Sequence, residues 1–169
     1  LFSFPCDIPR WRSVRDKIFE EVYTNFWNDD KQSFVQFKGS ESLDASVLLM
    51  PILNMISPHS ERWKKTMDAI GRELRSDVLI YRYLEQEKEV DGLKGKEGTF
   101  TMCSFWYVEC LALAGETQKA KEYFARMLGY ANHLGLYSEE IAPSGELRGN
   151  FPQAFTHLAL ISAALDLDE

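Results

Sequence analysis

One periodicity constrains the fold of this chain more than any other feature. Three segments are apolar in every direction around a helix, beginning near Asp44, Gly98 and Pro152, and each interval is 54 residues, 98 minus 44 and 152 minus 98. An amphipathic segment precedes each of them. Before the first, Trp11, Val14, Ile18, Phe19, Val22, Tyr23 and Phe26 form one stripe opposite Arg12, Arg15, Asp16, Lys17 and Glu20. Before the second, Trp63, Met67, Ile70 and Leu74 recur at helical spacing, and before the third Ala120, Tyr123, Phe124, Met127, Leu128 and Ala131 are in step. A helix with one apolar stripe lies with its other face in water, whereas a helix apolar all round must be covered on all sides. Alternating the two types three times is the signature of stacked α-hairpins, with amphipathic helices outside and apolar helices inside. An inner ring of this kind can close into an α/α toroid, and three hairpins are half of a six-hairpin barrel.

The local punctuation agrees with six helices. Pro9 falls at an early helical position, where its missing N–H costs little. Asp44 can cap the first apolar segment, Leu43 to Ile56, and Pro51 kinks that helix or delays its start. Asn28-Asp-Asp-Lys reads as a plain turn, because the later ligand positions of a calcium loop are absent. Ser33 to Phe37 and Val78 to Tyr83 are short and extended, and Glu85 to Lys96 reads as a charged loop. The second apolar helix is expected from Gly98 to Ala114, the outer helix after it from Thr117 to Asn132, and the last helix from Phe151 to Leu165.

Composition excludes several function classes. The formal charge of −7 disfavours a phosphate backbone as partner, so no nucleic acid is expected. No apolar run approaches the roughly 18 to 20 residues that cross a bilayer, so no membrane is expected either. The three cysteines are an odd number. Cys103 and Cys110 stand seven positions apart on one expected helix, roughly 10.5 Å along its axis, too far for a disulfide. This is compatible with a reducing, cytoplasmic compartment. No His, Cys and carboxylate cluster has metal-ligand spacing, and the glycines around Lys94 lack a phosphate-binding pattern, so no metal or cofactor is implied. Leu1-Phe-Ser-Phe-Pro has neither an initiator Met nor a secretory pattern, and reads as the middle of a longer chain.

The chemistry-bearing stretch lies between the last two helices. Leu134 to Phe155 contains adjacent carboxylates, Glu139 and Glu140, then a turn-rich loop through Pro143, Ser144 and Gly145, then a tight entry at Gly149-Asn150-Phe151-Pro152. Carboxylates on a loop between rigid helices are candidates for proton transfer; equally, they can end a helix and face water.

Five stretches carry a resemblance. Glu97-Gly-Thr-Phe-Thr-Met-Cys-Ser-Phe-Trp, Leu136-Tyr-Ser-Glu-Glu and Gly149-Asn-Phe-Pro-Gln-Ala-Phe-Thr-His-Leu-Ala-Leu, with Leu43-Asp-Ala-Ser and Tyr81-Arg-Tyr in the same order, resemble the C-terminal half of the glucoamylase-like family of glycoside hydrolases. Its bacterial branch includes trehalases and glucodextranases. The resemblance covers nearly the whole of residues 1–169, and it implies part of an (α/α)₆ barrel and inverting hydrolysis of an α-glucoside. Inversion uses an acid that protonates the leaving oxygen and a base that activates water on the opposite face of the sugar. The family's base corresponds to Glu139, paired with Glu140 near the substrate. The family's general acid lies on an earlier inner-helix loop with no counterpart here, so this chain alone is expected to be a poor catalyst. The position two after the pair, usually acidic, is Ala142.

Arg82 resembles a family residue near the leaving-group sugar, or it pairs with Glu85 or Asp77. Glu97 can accept from a sugar hydroxyl, or favour the following helix N-terminus. Phe100 and Trp106 can stack on a pyranose or belong to the core, and His157 reads as a satisfied core histidine. A non-catalytic helical-hairpin module, carbohydrate-binding or scaffolding, fits the periodicity equally well. A half ring would also expose apolar sides on its terminal inner helices, around Leu43 to Ile56 and Phe151 to Leu165. That leads to an expectation of self-association, or of an upstream half of the same protein as partner.

Overall fold

The computed structural model describes residues 6–84 and 98–168. Glu97 and the Glu85 to Lys96 stretch lie outside the described residues.

The chain is all-α in its main elements, with paired helices as the periodicity requires. The outer helices are α1 (Ile8–Asn25), α3 (Glu61–Glu73) and α5 (Thr117–Leu128). Asp7 caps α1 by accepting from the Arg10 backbone N at 3.0 Å, and Ser60 caps α3 by accepting from the Trp63 N. On α3, Trp63, Thr66, Met67, Ala69 and Ile70 are buried, and on α5 Ala120, Tyr123 and Met127. The stripe of α1 behaves differently. Val22, Tyr23 and Phe26 pack on the core, but Trp11, Val14, Ile18 and Phe19 are exposed.

The inner elements are a 3-10 turn (Ala45–Leu48) running into the short α2 (Leu49–Ile52), then α4 (Thr101–Leu113) and α6 (Ala154–Asp168). The first is much shorter than Leu43 to Ile56. Asp44 caps it, accepting from the Ser46 N at 2.7 Å. Pro51 falls in the first turn of α2, where an N–H is not needed, so it delays the α-helix rather than kinking it. The helix ends at Ile52, and Asn54 then takes a left-handed φ of 56° that a continuing helix excludes.

Helix α4 is the axis of the core: Cys103, Phe105, Val108, Cys110 and Leu111 are buried, with Trp63, Ile70, Ile80 and Met127 around them. It starts three residues later than expected, because Thr99 and Phe100 form a strand. Helix α6 buries only Thr156, Ala159 and Ala163; Phe155, Leu158, Ile161 and Leu165 are exposed on its other side. That helix is apolar all round, yet the described chain covers one of its faces.

Three small antiparallel sheets trim the helix ends. β1 (Trp27–Asn28) pairs with β2 (Ser33–Phe34), and β3 (Arg75–Ser76) with β4 (Leu79–Ile80). The Asp29-Asp30 stretch is the turn of the first hairpin, fastened by Lys31 N donating to Asn28 Oδ1 at 2.9 Å. β5 (Thr99–Phe100), β6 (Glu140–Ile141) and β7 (Leu147–Arg148) form the third sheet, with β6 central. Cys6, Cys103 and Cys110 are free thiols. Among the described residues no helix is long and apolar enough to cross a membrane.

Candidate functional site

The third sheet carries the glutamate pair to the junction of α4 and α6. Phe100 is opposite Glu140, and Thr99 opposite Ile141, with Thr99 Oγ1 donating to the Ile141 carbonyl at 2.8 Å. The first amide of α4, Thr101 N, donates to the carbonyl of Glu139 at 3.0 Å. A helix N-terminus has orphan donors that need such a partner, so the helix and the glutamate backbone fix each other. Thr101 Oγ1 beside it is buried and has no hydrogen-bond partner among the described residues.

The segment is tied equally firmly to α6. Thr156 Oγ1 donates to the Ser138 carbonyl at 3.1 Å, and Gln153 N to the Tyr137 carbonyl at 3.0 Å. Tyr137 N donates to His157 Nε2 at 3.3 Å, while His157 Nδ1 lies 2.7 Å from the Gln153 carbonyl. Those contacts assign the ring its donor at Nδ1 and its acceptor at Nε2. His157 is thus a satisfied histidine at the helix entry, half-buried, and it holds the backbone two residues before Glu139. Tyr137 itself is core, 2% exposed, with its ring edge-on to Phe105.

The two carboxylates point to different partners, as neighbours leaving a strand must. Glu140 Oε2 accepts from Gly98 N at 2.8 Å. A Cβ on Gly98 would lie 2.9 Å from the Ile141 carbonyl oxygen, so the close approach requires glycine. Glu139 Oε2 accepts from both Asn150 N, at 3.0 Å, and Asn150 Nδ2, at 2.8 Å. Both glutamates are half-buried, not the fully solvated pair that merely ends a helix. Ala142, at the usually acidic position, is 1% exposed and closes the turn into β7: its N donates to the Glu146 carbonyl and its carbonyl accepts from Gly145 N.

Arg82 lies beside Asp44 and is close enough to Cys103, in the first turn of α4, to act on its thiol electrostatically. Its Nε lies 3.8 Å from Asp44 Oδ2, and its backbone carbonyl accepts from Ala45 N. Of the two alternative partners, Asp77 pairs with Arg126 instead, and Glu85 lies outside the described residues. Burial pushes the Cys103 thiol up to about 12, the Asp44 carboxylate adding and the Arg82 guanidinium opposing. The first turn of α4 thus meets the Glu139 carbonyl at Thr101 and feels Asp44 and Arg82 at Cys103, though no described contact joins Arg82 to either glutamate. Phe100 and Trp106 are partly buried against the core.

Sequence reasoning treated Asp44 as a cap only, and Asn150 as part of a turn. Both carry polar contacts at the site. The Gly-Asn-Phe-Pro motif was a signal for Asn150, but its partner is 11 residues away across a β-turn, a pairing that no periodicity encodes.

Comparison with known proteins gives concordant results. Residues 1–122 and 111–165 match the family model described as glycosyl hydrolases family 15. A trehalase of Thermoplasma volcanium is 44% identical over 163 residues, covering 96% of this chain and 26% of that protein. A trehalase of Mycobacterium tuberculosis is 46% identical over 157 residues, covering 92% of this chain and 23% of that protein. The chain thus spans about a quarter of the length of the curated relatives it matches. Among solved structures, a wild-type glycosidase superposes with a TM-score of 0.79 at 19% identity, over 95% of this chain and 44% of that one. A variant of it determined in complex with glucose superposes equally well. This likeness establishes the fold, stacked α-hairpins forming part of an (α/α)₆ toroid.

Proposed function

The chain belongs to glycosyl hydrolase family 15, and on that premise we propose that it is the C-terminal half of the catalytic domain of an inverting α-glucosidase, with Glu139 as its general base. The observation that carries the reading is the state of the Glu139 carboxylate. It is half-buried at the junction of two inner helices, and among the described residues both donors go to Oε2 and none to Oε1. A base needs an acceptor oxygen held in one direction and left available to water.

The step follows from that geometry. Glu139 Oε1 accepts a proton from water as the water oxygen bonds to the anomeric carbon and the bond to the leaving oxygen breaks. The leaving oxygen takes its proton from a general acid outside these residues. Attack opposite the departing group turns an α-glucoside into β-glucose. Arg82, Glu97 and Glu140 are proposed to contact the sugar. For Arg82 the support is a guanidinium about half exposed beside Asp44, able to donate in a fork to hydroxyls. The proteins named trehalase among its relatives make trehalose the first substrate to try.

The proposal that the ring is completed by the rest of the same protein rests on the uncovered faces. Phe155, Leu158, Ile161 and Leu165 on α6, and Trp11, Val14, Ile18 and Phe19 on α1, are the sides a closed barrel buries.

The test is hydrolysis of trehalose, maltose and isomaltose by this chain, by the full-length polypeptide that carries it and by its Glu139→Gln form, with product anomers read by NMR before they mutarotate. Activity in the full-length protein alone, the attacked unit released as β-glucose (with an equal amount of α-glucose beside it when the substrate is trehalose), and a loss of about 10² or more in the Gln form are expected. An active Glu139→Gln protein overturns the assignment of the base; a full-length protein inert on every α-glucoside favours a binding module.

A further inference from the structure

We infer that Asn150 is the positioning residue for Glu139, a two-point clamp on one carboxylate oxygen that aims the other. The inference rests on the reading of Glu139 as the base. A single donor to Oε2 would fix one point and leave the carboxylate free to swing about it. Asn150 supplies two donors to that oxygen from one residue, its backbone N at 3.0 Å and its Nδ2 at 2.8 Å, so the plane of the carboxylate is set as well. The same two residues are joined again through the main chain, Glu139 N donating to the Asn150 carbonyl at 3.0 Å. Asn150 therefore moves with the backbone of Glu139, and the clamp keeps its register when loops around it shift.

Gly149 makes the approach possible. Its φ of 70° turns the chain back toward the glutamate, and a Cβ there would lie 2.9 Å from Glu139 Oε2 and 3.0 Å from Glu139 Cβ. Gly-Asn is thus a unit: the glycine clears the space and the asparagine fills it with donors. Hydrogen bonds to a charged group are the stronger kind, and two on one oxygen also keep that oxygen from competing for the water's proton. Oε1 is left as the acceptor in a fixed direction. Misdirection of a reacting group is felt mainly in turnover rather than in substrate binding.

The experiment uses the full-length polypeptide with Asn150→Ala and Asn150→Asp, each alone and combined with Glu139→Gln. The substrate is α-glucosyl fluoride, whose leaving group needs little protonation, so its rate reports on the base. The expected result is a fall in kcat of about 10- to 100-fold in either single variant, with KM changed by no more than about twofold. In the Glu139→Gln background the same changes cost little further, because the group they position is already gone. Wild-type kcat in both Asn150 variants, with Glu139→Gln inactive, overturns the clamp and leaves the base intact. Equal fold losses in both backgrounds make Asn150 a structural residue and overturn it too, as does loss of the folded circular dichroism spectrum in both variants. An active Glu139→Gln protein removes the premise instead.

Discussion

Ser162 on α6 donates through Oγ to Oε1 of Glu109 on α4 at 3.1 Å, across the interface of these two inner helices, where Glu109 is only 3% exposed. Its other oxygen, Oε2, is buried with no hydrogen-bond partner among the described residues. Burial pushes the carboxyl from its ordinary 4.5 up to about 7; the negative charge of Asp166, one turn along α6, adds to this, and the Ser162 hydrogen bond opposes it. The neighbouring Cys110 thiol is pushed up by burial and so stays neutral. Because the folded state binds this proton more tightly than the unfolded chain, the stability it contributes is fully present below about pH 4.5 and is lost as pH rises through about 7. Glu109→Gln keeps the shape and removes the titration. Its stability advantage over the parent is expected to grow by about 2 kcal/mol between pH 5 and pH 8. Urea unfolding at the two pH values measures it; a constant difference refutes the assignment.

His157 is expected to matter through the amide it holds. Replacing it with Ala leaves Tyr137 N–H without its acceptor at the entry to α6. An unsatisfied donor of this kind costs about 1 to 2 kcal/mol. The urea midpoint should fall accordingly, and the Tyr137 amide should exchange faster with deuterium. Unchanged exchange would show that the contact is not holding the segment.

Gly149→Ala combines two penalties, a left-handed φ and a Cβ within 3.0 Å of Glu139. The first costs about 1 kcal/mol, and the second must displace the carboxylate. A modest drop in melting temperature with a larger drop in the kcat of the full-length protein is expected. Full activity with lowered stability would mean that the glutamate relaxes without consequence.

The exposed face of α6 predicts association when this chain is purified by itself. Phe155, Leu158, Ile161 and Leu165 are each more than half exposed and spaced three or four residues apart, one continuous stripe. Light scattering should show species larger than a monomer, and Leu158→Glu with Ile161→Lys should shift them toward the monomer. A monodisperse parent chain would count against it.

Two departures from the sequence reading have one kind of cause. The apolar segment from Leu43 was expected to be a long helix, yet Pro51 and the left-handed Asn54 leave a 3-10 turn and a single α-turn. Helix α4 was expected from Gly98, but Thr99 and Phe100 pair with Ile141 and Glu140 from 40 residues on. Apolarity says that a segment is buried, not whether its backbone bonds are made within the segment or to a distant strand.

The alternation of outer and inner segments and the glutamate pair are legible in the sequence, because amphipathic periodicity, caps and adjacent carboxylates are local properties of the chain. Tertiary structure alone decided where the carboxylates are held. The Asn150 clamp on Glu139, the Gly98 amide on Glu140, Asp44 rather than Asp77 beside Arg82, and the burial of Glu109 against Ser162 all join residues far apart in sequence. Such contacts exist only once packed helices and a small sheet have brought their ends together, and a one-dimensional pattern has no coordinate for that distance.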